Sequence, residues 1–222
     1  MPVKIYLIPK ETSALVFDMD NTLYTHDEYL RFQIESPVRM LAEKRGVSFA
    51  GMKETINACR EKYAEENNGA QLSLGNVFKS FGIGMEETIR MREELYRPEE
   101  FLCKDGELRR ALLRLAARFS LALYTNNPVR VARKTLACLG VEDCFPVIVG
   151  LDTCLVSKPN ELSLRKTVEL LGADITNCVS IGDRYDIDLA LPLELGMGGI
   201  LVDGVSDVYR LPAFFANAGF PC

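Results

Sequence analysis

Ala14-Leu-Val-Phe-Asp18-Met-Asp20-Asn-Thr-Leu-Tyr24 is the stretch whose reading decides the fold of this chain. Apolar residues that run on without polar alternation describe a strand buried on both faces, the kind found inside a parallel sheet. The run stops on a carboxylate, Asp18, and a second, Asp20, follows two residues later. In an open α/β sheet, ligands bind beyond the carboxyl ends of the strands. Both aspartates therefore fall where chemistry is expected.

Further along, the pattern alternates short apolar runs with helical ones, which predicts a parallel sheet covered by helices. Phe119–Thr125 is a strand, followed by a helix from Pro128 to Leu139 with Gly140 at its exit. Pro146–Gly150 is the next strand, and a helix over Glu161–Leu171 ends before Gly172. Cys178–Gly182 is another buried strand, with a helix after it to about Leu195 and a last strand at Ile200–Val202. Between Asp18 and Phe119 lie 100 residues, far more than one helical crossover needs. Helical apolar spacing runs through Tyr29 to Leu41, Phe49 to Tyr63, Val77 to Phe81 and Ile89 to Tyr96. The expected division is a core of residues 1–24 and 103–222 around an inserted helical domain, 25–102. Within the insertion, Pro37 should start or kink a helix, and Asn67-Asn68-Gly69 should make a turn.

With 48% hydrophobic and 26% charged residues in 222, the chain is expected to be an ordinary folded protein. A net charge of −5 supplies no basic field for a nucleic-acid polymer. No stretch reaches the roughly 20 apolar residues that cross a bilayer, so no membrane partner is expected. Met1-Pro2-Val3-Lys4 does not open a signal peptide, and a cytoplasmic location is expected. Oligomeric state is not legible. Seven cysteines, at 59, 103, 138, 144, 154, 178 and 222, include no Cys-x-x-Cys pair. They imply neither a zinc site nor a disulfide framework and read as small buried thiols. A catalytic cysteine would need a histidine base, and His26 is the single histidine.

Four apolar runs end on polar groups: Asp18-Met-Asp20-Asn-Thr22, Thr125-Asn126-Asn127, Ser157-Lys158-Pro159, and Gly182-Asp183-Arg184 with Asp186 and Asp188 close behind. Singly, each has a plain structural explanation as a turn, a helix cap or a solvated loop. Together, in parallel strands, they would gather at one edge. Carboxylates so crowded repel one another, and a divalent cation is the usual relief. Oxygen ligands without histidine or cysteine favour Mg²⁺.

Asp18-Met-Asp-Asn-Thr-Leu-Tyr24 resembles the signature of the haloacid dehalogenase-like hydrolases, and the other three endings match that superfamily's later motifs. Gly182-Asp183-Arg-Tyr-Asp-Ile-Asp188 fits its Gly-Asp-x-x-x-x-Asp form. The resemblance implies a Rossmann-like α/β core with the insertion as a cap. It implies that Asp18 is the nucleophile, forming an aspartyl-phosphate, and that Asp20 is the acid and base. It assigns Mg²⁺ to Asp18, Asp183 and the Asp20 backbone carbonyl. Thr125 and the Asn126 amide would bind phosphate oxygens, and Lys158 would neutralise charge on the transferring group. Asp188, or Asp186 in its place, would orient Lys158 or a water. A halide leaving group needs no proton, so Asp20 points to phosphate substrates, and Thr22 favours phosphatases over sugar-phosphate mutases.

The implied function is a Mg²⁺-dependent phosphatase of small phosphorylated metabolites. Similarity of the motifs to the pyrimidine 5′-nucleotidase-like branch suggests nucleoside monophosphates. Candidate insertion contacts are His26, Arg60, Lys62, Tyr63 and Asn67, but an exposed helical face explains each more readily, and none is placed in the site. A phosphotransferase or mutase of sugar phosphates is an alternative, as is a phosphorylation-controlled signalling domain. The latter uses the same groups in another order and carries no cap. A binding protein that has lost activity is a third reading.

Overall fold

The computed structural model describes residues 3–69 and 72–220, so Met1, Pro2 and Cys222, which entered the reading above, lie outside it. In chain order the strands are β1 (Lys4–Leu7), β2 (Ala14–Phe17), β3 (Ser120–Tyr124), β4 (Val147–Val149), β5 (Cys178–Gly182) and β6 (Gly198–Leu201). The helices are α1 (Asp27–Arg45), α2 (Phe49–Glu66), α3 (Leu74–Ser80), α4 (Met85–Leu95), α5 (Gly106–Ala116), α6 (Val129–Leu139), α7 (Leu151–Cys154), α8 (Glu161–Leu171), α9 (Ala190–Glu194) and α10 (Val205–Asn217). The sheet order is β1-β6-β5-β2-β3-β4. All neighbours are parallel except β1, which runs antiparallel to β6. This is the α/β architecture expected.

β2 lies between β5 and β3, with Phe17 opposite Ile181 on one side and Leu123 on the other. All four of its residues are buried, as its uninterrupted apolar run requires. Leu15 and Phe17 meet Leu108, Leu112 and Leu115 of α5 and Phe215 of α10 on one face. Ala14 and Val16 meet Leu164 and Val168 of α8 on the other. Apart from Ala14, each such side chain contributes roughly 1.5–3 kcal/mol through burial. Covered on both faces, β2 is fixed in register, and Asp18 N–H donates to the Ile181 carbonyl at 2.8 Å.

Helices α1 to α4 fill the long gap and share a core of Val38, Leu41, Met52, Ile56, Val77, Phe78 and Met91. The start of α1 instead packs on the sheet side, where Tyr29 joins the main core and stacks on Phe101 at 5.0 Å. Pro37 neither starts nor ends a helix, because α1 runs through it. The lost hydrogen bond is tolerated because Pro37, Val38, Leu41 and Ala42 are all buried. Asn67-Asn68-Gly69 is the expected turn, with Asn68 and Gly69 at φ 54° and 84°. The helix expected after β5 begins instead as a π-type turn over Tyr185–Leu189 before α9. β1 escapes sequence reading because its alternating Lys4-Ile-Tyr-Leu7 is short and largely exposed.

The six described cysteines are free, and of these only Cys144 and Cys178 are buried; Cys103 is exposed. The expectation of buried thiols is thus corrected for the other four, which lie on helix flanks and in a loop. No helix among the described residues is long and apolar enough to cross a membrane.

Candidate active site

Because β2, β3 and β5 are parallel, their carboxyl ends deliver Asp18, Thr125 and Asp183 to one edge of the sheet. Lys158 arrives less directly than expected, since α7 intervenes after β4 and the lysine sits in the following loop. Its backbone N–H donates to Asn126 Oδ1 at 2.6 Å, which ties that loop to the end of β3. Lys158 is 2% exposed, and its Nζ donates to Asp18 Oδ1 at 2.5 Å, Asp188 Oδ1 at 2.7 Å and the Tyr124 carbonyl at 2.9 Å. Burial pulls the lysine pKa down, but Asp18 and Asp188 outweigh it and hold the pKa above the ordinary value. Lys158 is a buried cation.

Three carboxylates, Asp18, Asp183 and Asp188, bring oxygens within 4.8 Å of one another around this one ammonium. Burial, opposed by Lys158 and reinforced by Asp188, lifts the Asp18 carboxyl to about 7. Burial and Asp188 likewise raise Asp183. Against the three carboxylates stand Lys158 and, at 3.6 Å from Asp183 and 4.0 Å from Asp188, the Arg184 Nε, which leaves a formal surplus of negative charge. Asp18 Oδ2 and Asp183 Oδ1 are buried with no hydrogen-bond partner. Hard oxygen donors and surplus negative charge suit a small divalent cation.

Of the two acidic candidates after Asp183, Asp188 reaches Lys158, and its Oδ2 accepts from Arg184 N–H at 3.1 Å, whereas Asp186 is exposed. Gly182 makes this possible: a Cβ there would lie 2.4 Å from Asp188 Cβ. Asn21, at φ 56°, turns the chain between the two aspartates and Leu23, and its Nδ2 donates to Asp183 Oδ2 at 3.1 Å.

Asp20 faces away from the carboxylate cluster. Its Oδ2 accepts from Asn127 Nδ2 at 2.7 Å, and its Oδ1 accepts from the Tyr24 hydroxyl and from Gln33 Nε2 at 3.3 Å. Burial and the nearby Asp20 carboxylate raise the Tyr24 pKa well above its usual value, so Tyr24 stays a donor. Gln33 is held in turn by Tyr96, whose hydroxyl donates to its carbonyl at 2.8 Å. Arg92 of α4, also buried, donates to the Asn126 carbonyl and, at 3.3 Å, to Asn127 Oδ1. Thr125 is buried beside these groups, and its Oγ1 accepts from Asn127 N–H at 3.1 Å. Gln33, Arg92, Tyr96 and Asn127 were missed by sequence reading. Asn127 alone stood inside a recognised motif.

A cavity of about 770 Å³ opens over this edge, walled by Asp20, Asn126 and Asp183 below and by residues of α1, α2 and α4 above. Of the candidate insertion contacts, only Arg60 lines it. His26 caps α1 through Tyr29 N–H, Asn67 Nδ2 donates to the Tyr63 carbonyl, and Lys62 pairs with Glu66 at 3.9 Å on the surface.

Residues 12–192 match the family described as haloacid dehalogenase-like hydrolase. The chain belongs to that family. This hydrolase is 27% identical over 192 residues to a phosphoglycolate phosphatase of Colwellia psychrerythraea, covering 82% of this chain and 80% of that one. A phosphoglycolate phosphatase of Neisseria meningitidis is 43% identical over 68 residues, 30% of this chain and 29% of that one. Among solved structures, a haloacid dehalogenase-type phosphatase from Thermococcus onnurineus superposes with a TM-score of 0.63 at 20% identity, covering 95% of this chain and 99% of that one. At that identity the likeness speaks for the fold of this hydrolase alone.

Proposed function

We propose that this hydrolase is a Mg²⁺-dependent phosphatase of small phosphomonoesters. The observation that carries the reading is Asp18, with one oxygen pinned by the buried Lys158 and the other without a partner. An in-line attack needs one oriented, unencumbered lone pair, and Asp18 Oδ2 provides it. Attack forms an aspartyl-phosphate and expels the alcohol, and water then hydrolyses the acyl phosphate and regenerates Asp18.

Asp20 is assigned as the acid that protonates the leaving oxygen and the base that takes a proton from water, held by Tyr24, Gln33 and Asn127. Lys158 balances charge on the transferring group, with Asp188 fixing its ammonium. Thr125 and the Asn126 amide bind phosphate oxygens. Asp18, Asp183 and the Asp20 carbonyl are assigned to Mg²⁺, which supplies charge neutralisation and orientation of the phosphate. Helices α1 to α4 are assigned as the cap, the division at residues 25–102 being part of this proposal.

Relatives are named phosphoglycolate phosphatase and dihydroxyacetone phosphatase, names that support small phosphomonoesters as the substrate class. Nucleoside monophosphates remain an arm of the test. Phosphate release from an ester panel, with Mg²⁺ and with EDTA, should be metal-dependent. Asp18→Asn should lower it at least about a thousandfold while the protein still folds. A variant with a tenth or more of the wild-type rate would remove the nucleophile assignment, and an acyl phosphate that persists without turnover would favour a signalling domain.

A further inference from the structure

The cavity above Asp20 and Asp183 is lined by three arginines, and two of them are engaged. Arg92 is held by the Asn126 carbonyl and the Asn127 side chain. Arg184 Nε lies 3.6 Å from Asp183 and 4.0 Å from Asp188. Arg60, on α2, is different: its Nε is buried without a hydrogen-bond partner, and no carboxylate among the described residues pairs with it. Burial draws its pKa below the usual arginine value, yet guanidinium remains charged at any physiological pH.

A guanidinium at the wall of an open cavity, with no carboxylate among the described residues to pair with, can serve an acceptor that enters from outside. The other charges of the cavity narrow what that acceptor is. Asp27 and Asp186 also line it, so an anion is repelled from those walls and favoured beside Arg60. On the insertion side Leu30, Ile34, Leu72 and Leu74 give the wall apolar patches beside Gln33, Ser73 and Tyr96. A short hydrocarbon spacer between two anionic ends matches that lining.

We propose that Arg60 is a specificity-determining residue that binds a second anionic group, a carboxylate or a phosphate, on the alcohol portion of the phosphomonoester. The proposal rests on the reading of the strand edge as a phosphomonoesterase site. The guanidinium presents paired N–H groups that suit either oxyanion and leave a neutral alcohol unrewarded. Discrimination then arises at the far end of the substrate from the reacting phosphorus.

The test is calorimetric and needs no turnover. Three phosphonates would be titrated into the full-length protein with Mg²⁺: 3-phosphonopropionate, ethylene-1,2-diphosphonate and propylphosphonate, whose far end is uncharged. At least one of the first two should bind about tenfold or more tightly than propylphosphonate, and the larger ratio identifies carboxylate or phosphate. Arg60→Met, which keeps the apolar stem, should erase that ratio and leave propylphosphonate affinity within about threefold. Arg60→Lys should retain part of it, and this variant guards against a folding defect in the first. Equal affinities for the three ligands in the wild-type protein, no binding of any, or a ratio that survives in both variants would overturn the proposal. Hydrolysis of p-nitrophenyl phosphate by the wild-type protein reads the phosphatase assignment separately.

Discussion

Asp183 keeps one oxygen on Asn21 and leaves the other buried without a hydrogen bond, 3.6 Å from Arg184 Nε, an arrangement that a metal ligand could have. Asp183→Asn should raise the Mg²⁺ concentration needed for half-maximal rate about tenfold or more, and an unchanged metal titration would contradict the assignment. Gly182 works by absence, since any Cβ there would meet Asp188 at 2.4 Å. Gly182→Ala should displace Asp188 from Lys158, lower stability by about 1–3 kcal/mol in thermal unfolding and remove most activity. Retention of both wild-type melting temperature and rate would show that the π-type turn absorbs the clash. At this scale, Asp18, Asp20, Thr125, Lys158 and Asp183 were legible because each follows a strand or its loop, where residue type and position suggest the same role. Asn127 was quoted but given no task, because its partner Asp20 is 107 residues away in sequence.

Arg92 shows what α4 contributes beyond a wall of the cavity. It lies under the end of β3, gripping the Asn126 carbonyl and the side chain that holds Asp20. Arg92→Met should lower kcat about tenfold with little change in KM for a generic ester, and Arg92→Lys should recover part of it. A rise in KM alone would place Arg92 in binding rather than in the support of Asp20. Among the elements, those with strong periodicity and clear caps were legible. Gly140 and Gly172 close α6 and α8 in the left-handed conformation, as their positions in sequence announce. The spacing from Tyr29 to Leu41 already runs through Pro37, as α1 does; what periodicity could not convey was a π-type turn that carries Asp188 back over Gly182.

For the whole molecule, an insertion that walls the cavity would bear on which ester enters. Gln33 donates to Asp20, and Arg92 donates to the Asn127 that holds it, so under the proposed mechanism the insertion would have a second task. Replacing residues 25–102 by a short linker should therefore alter substrate ranking and also lower kcat on every ester, measured on protein shown to be folded. Unchanged kcat with altered ranking would confine the insertion to selectivity. The sheet order has a different consequence, one of timing. β2 waits for β3, which follows about a hundred residues later, and for β5, whose first residue is Cys178. At ordinary rates of synthesis a ribosome holds that apolar strand without its second neighbour for on the order of ten seconds. Until β3 emerges both edges of Ala14–Phe17 are bare, and one edge stays open until the strand that precedes Asp183 arrives, so the nascent chain depends on whatever shields it.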